Sequence, residues 1–151
     1  MNLAKGMVLG FIAGAIATVT VHEIINTIFE NPNVWTGWPR HAWNMAPSAV
    51  TGVPQILSDM FWGGAWGALF PVIFGALPKG PLTFKGLLYG LLGPALIGVF
   101  LAIPFLTGRW PPFFGGNASL IIPVLFILGG FGAFLGWLYG FLAYKRLPGC
   151  D

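Results

Sequence analysis

Four long apolar stretches constrain the fold of this chain more than any other feature. They cover approximately residues 3–29, 53–77, 82–106 and 118–144, and each meets or exceeds the roughly 20 residues that cross a bilayer core as a helix. Only 7% of the 151 residues are charged, against about 25% in an ordinary soluble domain. The sequence therefore predicts a single transmembrane domain over 1–151, folded as an all-α, antiparallel bundle of four transmembrane helices.

The basic residues alternate between the connections, and this distribution predicts the orientation. A net charge of +3 and a pI near 9.4 would suggest a nucleic-acid partner for a soluble protein, but here the positive-inside bias accounts for the charges. We therefore expect no nucleic-acid partner, a multi-pass protein of the bacterial inner membrane, and both termini in the cytoplasm. Lys5, Lys79, Lys85, Lys145 and Arg146 would lie on the cytoplasmic side, and Arg40 and Arg109 on the outer side.

Small residues recur at every fourth position of each predicted helix, so that they share one face. Such faces let helix backbones approach closely within lipid, where no hydrophobic drive brings helices together. We expect tight packing of the glycine-zipper kind rather than a flexible gate, with kinks at Pro71 and Pro94. The glycines predicted to pack are Gly6, Gly10, Gly14, Gly63, Gly67, Gly86, Gly90, Gly132, Gly136 and Gly140.

A weak internal repeat relates the two halves of the chain. "KGMVLGFIAG" from Lys5 resembles "KGLLYGLLGP" from Lys85, and "TGWP" from Thr36 resembles "TGRWP" from Thr107, in the same order. A duplication of this kind predicts two tandem helical hairpins related by an axis along the membrane normal. Glycine-rich matches also arise by chance in apolar sequences, so chance similarity is the competing interpretation.

Most of the ionisable residues converge on the predicted outer end. His22 lies roughly 28 Å along the first helix from Leu3, and Asp59 lies about 9 Å below the start of the second helix, so the two residues have similar depths. Because both occupy small-residue faces, we expect them to meet, either as a polar cluster that locks the first hairpin or as part of a transport site. The candidate residues of this polar cluster are His22, Glu23, Asn26, Arg40, His41, Asp59 and Arg109.

No metal, cofactor or catalytic residue is predicted. "HEIIN" from His22 resembles the zinc-peptidase pattern H-E-x-x-H, but Asn26 replaces the second histidine. A zinc site of His22, His41 and Asp59 would have legitimate ligand types, yet it would need a loop residue whose position the sequence does not fix. The lone Cys150 excludes a disulfide framework and a thiolate cluster within this chain.

The first outer loop, residues 30–52, is rich in tryptophan and proline. One interpretation is an aromatic belt, in which Trp35, Trp38, Trp43 and Trp110 lie at the headgroup level with their N–H groups in water. The other is a lid or docking surface on the outer side, and the two can coexist.

The glycine spacing near both ends of the chain carries a resemblance. Lys5, Gly6, Gly10, Phe11 and Ala13 form a "KG...GF.A" start, and "G..G...YG"-type spacing near the end comes from Gly132, Gly136, Tyr139 and Gly140. In this spacing the chain resembles small bacterial inner-membrane proteins of uncharacterised function that have four predicted spans. The resemblance implies the same membrane topology and transfers no catalytic residue.

Three functional interpretations follow. The first is a non-enzymatic membrane protein, an accessory or structural subunit that contacts the lipid bilayer and other membrane proteins or copies of itself. The second is a small transporter or proton-conducting protein with a polar site near its outer face. The third and least supported is a membrane-embedded metalloprotein.

Overall fold

The fold is an antiparallel bundle of four membrane-length helices, as the sequence predicts. A computed structural model describes residues 2–48 and 51–144, and within these ranges the regular structure is helical. Lys145, Arg146 and Cys150, which the sequence analysis uses, lie outside the described residues. The four helices that are long and apolar enough to cross a membrane are α1 (Leu3–Glu30), α2 (Gln55–Ala76), α3 (Leu82–Thr107) and α4 (Ala118–Tyr144).

The helices follow one another around the bundle. α1 packs mainly against α2, α3 packs against α4, and α1 also contacts α4. The ring closes between α2 and α3, where the Tyr89 hydroxyl donates a 2.6 Å hydrogen bond to the carbonyl of Trp66. α1 and α3 finish, and α2 and α4 begin, at the same end of the bundle, where residues 31–54 and 108–117 connect the helices. We call this end the polar end.

Glycine permits the closest contacts within each pair of helices. A Cβ added at Gly10 would overlap the backbone carbonyl of Gly67, and one added at Gly14 would overlap that of Gly63. α3 and α4 approach in the same manner, because an added Cβ at Gly86 would overlap the carbonyl of Gly132. Of the other glycines predicted to pack, Gly6 is buried, and Gly140 faces the side chain of Leu82. A Cβ added at Gly90 or at Gly136 would overlap a backbone carbonyl of the opposing helix.

Large buried side chains fill the bundle on the side away from the polar end. Phe70, Tyr89, Phe131, Leu135 and Tyr139 are each 3% exposed or less and belong to one cluster. Phe70 contacts Tyr89 at 5.3 Å and Tyr139 at 5.6 Å between ring centroids. We call these five side chains the aromatic plug, because four of them are aromatic and together they fill the centre of the bundle there.

α1 and α3 each contain a π-helical segment, and no such segment interrupts the described parts of α2 and α4. In α1 the segment is Thr18–His22, and it contains two threonines whose hydroxyls donate to the carbonyls four residues earlier: Thr18 to Gly14 at 3.0 Å and Thr20 to Ile16 at 2.6 Å. Such back-bonding competes with the backbone ladder and bends helices. In α3 the segment is Leu91–Ala102, and it contains Pro94, which cannot donate to the ladder.

We predict that Gly67→Ala lowers the free energy of unfolding in detergent by about 1–3 kcal/mol, the usual cost of overpacking. The added methyl group meets a backbone carbonyl, which cannot move aside without separating α1 from α2. Gly75→Ala is the matched control, because nothing lies within 4 Å of its added Cβ. Thermal unfolding of both variants checks the prediction, and equal stability of the two would contradict it.

Candidate functional site

The centre of the polar end is the buried carboxylate of Glu23 on α1. The residue is only 2% exposed. Its oxygens accept hydrogen bonds from His22 Nδ1 at 2.7 Å, from the backbone N–H of Trp43 at 2.7 Å and from Asn26 Nδ2 at 3.4 Å. A buried carboxylate is costly unless it is paired and hydrogen-bonded, so Glu23 holds the first loop against α1.

Glu30, two turns further along α1, holds the same loop at a more exposed position. It accepts from His41 Nδ1 at 2.7 Å and from the backbone N–H of Ala42 at 3.0 Å. The side chains of His41 and Glu30 are 76% and 36% exposed. Glu23 and Glu30 therefore use the same combination of one histidine and one loop amide at two depths.

Three tryptophans of the first loop anchor it further. The indole N–H of Trp43 donates to the carbonyl of Val19 in the π-helical segment at 3.0 Å, and that of Trp38 donates to Asn26 Oδ1 at 2.6 Å. Trp35 reaches α4, where its N–H donates to the carbonyl of Ser119 at 2.9 Å. The expectation that these N–H groups lie in water is thus wrong for Trp35, Trp38 and Trp43, because each has a partner within the protein.

Asp59 on α2 binds the first loop rather than His22. It accepts from Arg40 Nη2 at 2.9 Å and from Gln55 Nε2 at 2.7 Å. No hydrogen bond or ion pair within the described part of the chain joins His22 to Asp59, so the expected pairing is not formed. Thr18 still faces α2 at Gly63, but His22, beyond the wider π-helical turn, faces a cavity instead.

A cavity of about 740 Å³ opens at the polar end. Its walls come from α1, α3, α4 and both connections at this end, with Gln55 as the contribution of α2. His22, Asn26, Arg40 and Arg109 supply polar groups, whereas Val99 and Leu128 belong to its apolar part. The volume lies within the roughly 300–1,000 Å³ of typical ligand sites.

Six of the seven polar residues predicted from the sequence fall into three groups, one of which also includes Glu30. His22, Glu23 and Asn26 form one connected network, Glu30 and His41 form a second, and Arg40 and Asp59 form a third. Arg109 is exposed, lines the cavity and has no hydrogen-bond or ion-pair partner among the described residues. Within the same residues, no three His, Cys, Asp or Glu side chains group closely enough to hold a metal ion.

Sequence reasoning missed the roles of Trp38, Trp43 and Gln55. The available signal was the density of tryptophan directly after a helix end that carries Glu23, Asn26 and Glu30. An indole offers a large apolar body with one donor, which suits a loop that covers carboxylate and amide acceptors.

The chain matches no protein-family model, no curated protein and no solved structure. Its function is therefore argued from the geometry of the polar end.

We expect Glu23→Gln to destabilise the protein by about 1.5–3 kcal/mol, the worth of a hydrogen bond to a charged group. The amide keeps the shape of the side chain but removes the charge that His22 and the Trp43 amide share. Glu30→Gln is the matched control, because Glu30 makes the same two kinds of bond at an exposed site, and it should have the smaller effect. Denaturant unfolding and limited proteolysis of the first loop measure the difference, and a larger effect of Glu30→Gln would refute this account.

Proposed function

We propose that this multi-pass membrane protein is non-enzymatic and acts as an accessory or structural subunit of a membrane assembly in the bacterial inner membrane. In this proposal the termini lie in the cytoplasm and the polar end faces outward. The observation that carries the proposal is the fixed first loop, which presents a surface at the polar end. The partner would be another membrane protein.

The first loop is long and irregular, but its backbone and side chains are held to the helices. Loops of more than about 12–15 residues without regular structure are uncommon in compact domains and are usually functional or disordered. Hydrogen bonds to Glu23, Asn26, Glu30, Asp59 and Ser119 fix this one. A surface that is ordered before it binds loses less conformational entropy on association.

The first loop and the connection 108–117 leave large apolar side chains exposed. Val34 is 55% exposed, Met45 is 68% exposed and Trp110 is 65% exposed. Exposed apolar groups on a polar-rimmed surface are typical of contact sites. At this end of the bundle they are available both to the headgroup region and to a neighbouring protein.

The proposal predicts a stable complex that the loop surface maintains. The chain purified in mild detergent should appear in native mass spectrometry with a second polypeptide at fixed stoichiometry. Val34→Asp combined with Met45→Asp should release that polypeptide at least tenfold more readily, without a change in thermal stability. The control is Phe61→Ala, a 58% exposed residue on the lipid-facing part of α2, which should leave the complex intact.

Two outcomes would contradict the subunit proposal. One is a chain that runs only as a monomer or as a homo-oligomer. The other is a complex that the loop variant and the Phe61→Ala variant weaken equally.

Transport is a second candidate, and the cavity at the polar end is the observation that favours it. The aromatic plug lies between this cavity and the opposite end of the bundle, so solute passage would require the plug to move. The described carboxylates Glu23, Glu30 and Asp59 are all engaged in hydrogen bonds. Their engagement accounts better for a structural role than for a proton path.

A flux assay separates the two candidates. In liposomes with an internal pH-sensitive dye, the subunit proposal predicts the same proton leak for the wild type, for His22→Ala and for Asp59→Asn. A pH-dependent flux in the wild type that both substitutions abolish would instead establish transport.

A further inference from the structure

The cavity at the polar end combines an apolar wall with cationic groups near its opening. Its apolar lining comes from Val99 and Ile103 of α3 and from Val124, Ile127 and Leu128 of α4. Leu128 is ten residues from the start of α4, which is about 15 Å along that helix. A lining of this composition suits a chain of apolar atoms better than a compact polar solute.

Arg109 supplies an unbalanced positive charge to this cavity. Arg40 also lines it, but Arg40 is paired with Asp59 at 2.9 Å, and Glu23 is hydrogen-bonded to His22 at 2.7 Å. With Glu30 bound to His41 and Ala42, no described carboxylate is left for Arg109. The unpaired guanidinium of Arg109 is therefore available to an anionic ligand.

Arg40 and His22 keep ring or guanidinium nitrogens free for a ligand even though each already has a carboxylate partner. The bond from Arg40 to Asp59 engages Nη2, whereas a guanidinium carries five N–H donors. His22 uses Nδ1 for Glu23, which leaves Nε2 as the ring nitrogen that can meet a ligand. Guanidinium groups bind carboxylate and phosphate oxygens with matched, two-pronged geometry.

Both π-helical segments contribute to the cavity. His22 ends the segment in α1, and Val99 lies within the segment in α3. π-helical turns are rare and occur frequently at functional sites. The presence of π-helical segments on two helices that line one cavity supports a ligand site there.

We propose that this cavity binds an anionic amphiphile, whose single acidic phosphate or carboxylate group lies at Arg109 and Arg40 and whose apolar chain lies against the apolar residues that α3 and α4 contribute to the lining. The inference does not rest on the subunit proposal, because it concerns the lining of the cavity, whereas the loop variant that tests the subunit proposal changes Val34 and Met45, which do not line it. Failure of either proposal leaves the other standing.

Lipid retention by the full chain tests the proposal. The protein is purified in a nonionic detergent and titrated with phosphatidylglycerol or with phosphatidylcholine of the same acyl chains, and retained lipid is counted by native mass spectrometry. We expect one phosphatidylglycerol per chain, bound at least tenfold more tightly than phosphatidylcholine. Arg109→Gln should weaken that binding about tenfold or more, as expected for loss of a charged hydrogen bond.

Two further variants separate the specific site from general charge and from loss of folding. Lys79→Gln removes an exposed cation at the opposite end of the bundle and should leave binding unchanged. Ile103→Trp narrows the apolar part of the cavity without altering charge, and Ile103 is 47% exposed, so the variant should fold and bind at least tenfold more weakly. Unchanged thermal unfolding of the ligand-free variants verifies folding.

Three results would overturn the proposal. Equal retention of the two lipids would remove the preference for an acidic head. Equal loss of binding in Arg109→Gln and Lys79→Gln would show that general surface charge, and not the cavity, attracts the acidic lipid. Stabilisation by inorganic phosphate alone that equals stabilisation by phosphatidylglycerol would show an anion site without the amphiphile.

Discussion

The polar end depends on one buried negative charge. Glu23 is placed on a membrane-length helix where an ionised side chain is costly without partners, and it acquires those partners from its neighbour His22, from Asn26 and from the first loop. The loop residue that completes the set, Trp43, also bonds the carbonyl of Val19 through its indole. Satisfying Glu23 thus brings the loop down onto α1 and positions the residues on either side of it.

The helices pack differently at the two ends of the bundle. Away from the polar end, glycines allow backbones to touch and aromatic side chains fill what remains, as at Phe70 and Tyr139. Toward the polar end, π-helical turns replace regular helix in α1 and α3, and a cavity remains between the helices. Close packing at one end and a polar-capped space at the other give the chain a rigid base and a candidate binding site.

The class of fold was predictable because it follows from composition and length: few charges and four long apolar runs permit little else. The hydrogen-bond partners of the polar residues at the polar end were not predictable. Extrapolating one face from Gly14 to His22 assumes regular helical geometry, and the π-helical segment Thr18–His22 changes that geometry before His22 is reached. The partner of Asp59 was not predictable either, because the sequence does not fix the path of the first loop. In the structure Arg40 of that loop binds Asp59.

Hydrogen exchange at the backbone amides of Ala42 and Trp43 in detergent-solubilised protein measures whether the two carboxylates of α1 anchor the first loop. Both residues lie in an irregular loop, so an unanchored loop would exchange them at the rate of an unstructured peptide. The account predicts strong protection of both amides, because they donate to Glu30 and Glu23 respectively. It also predicts that Glu23→Gln reduces protection at Trp43 more than at Ala42. Exchange of the Trp43 amide at the unstructured rate in the wild type would contradict the account.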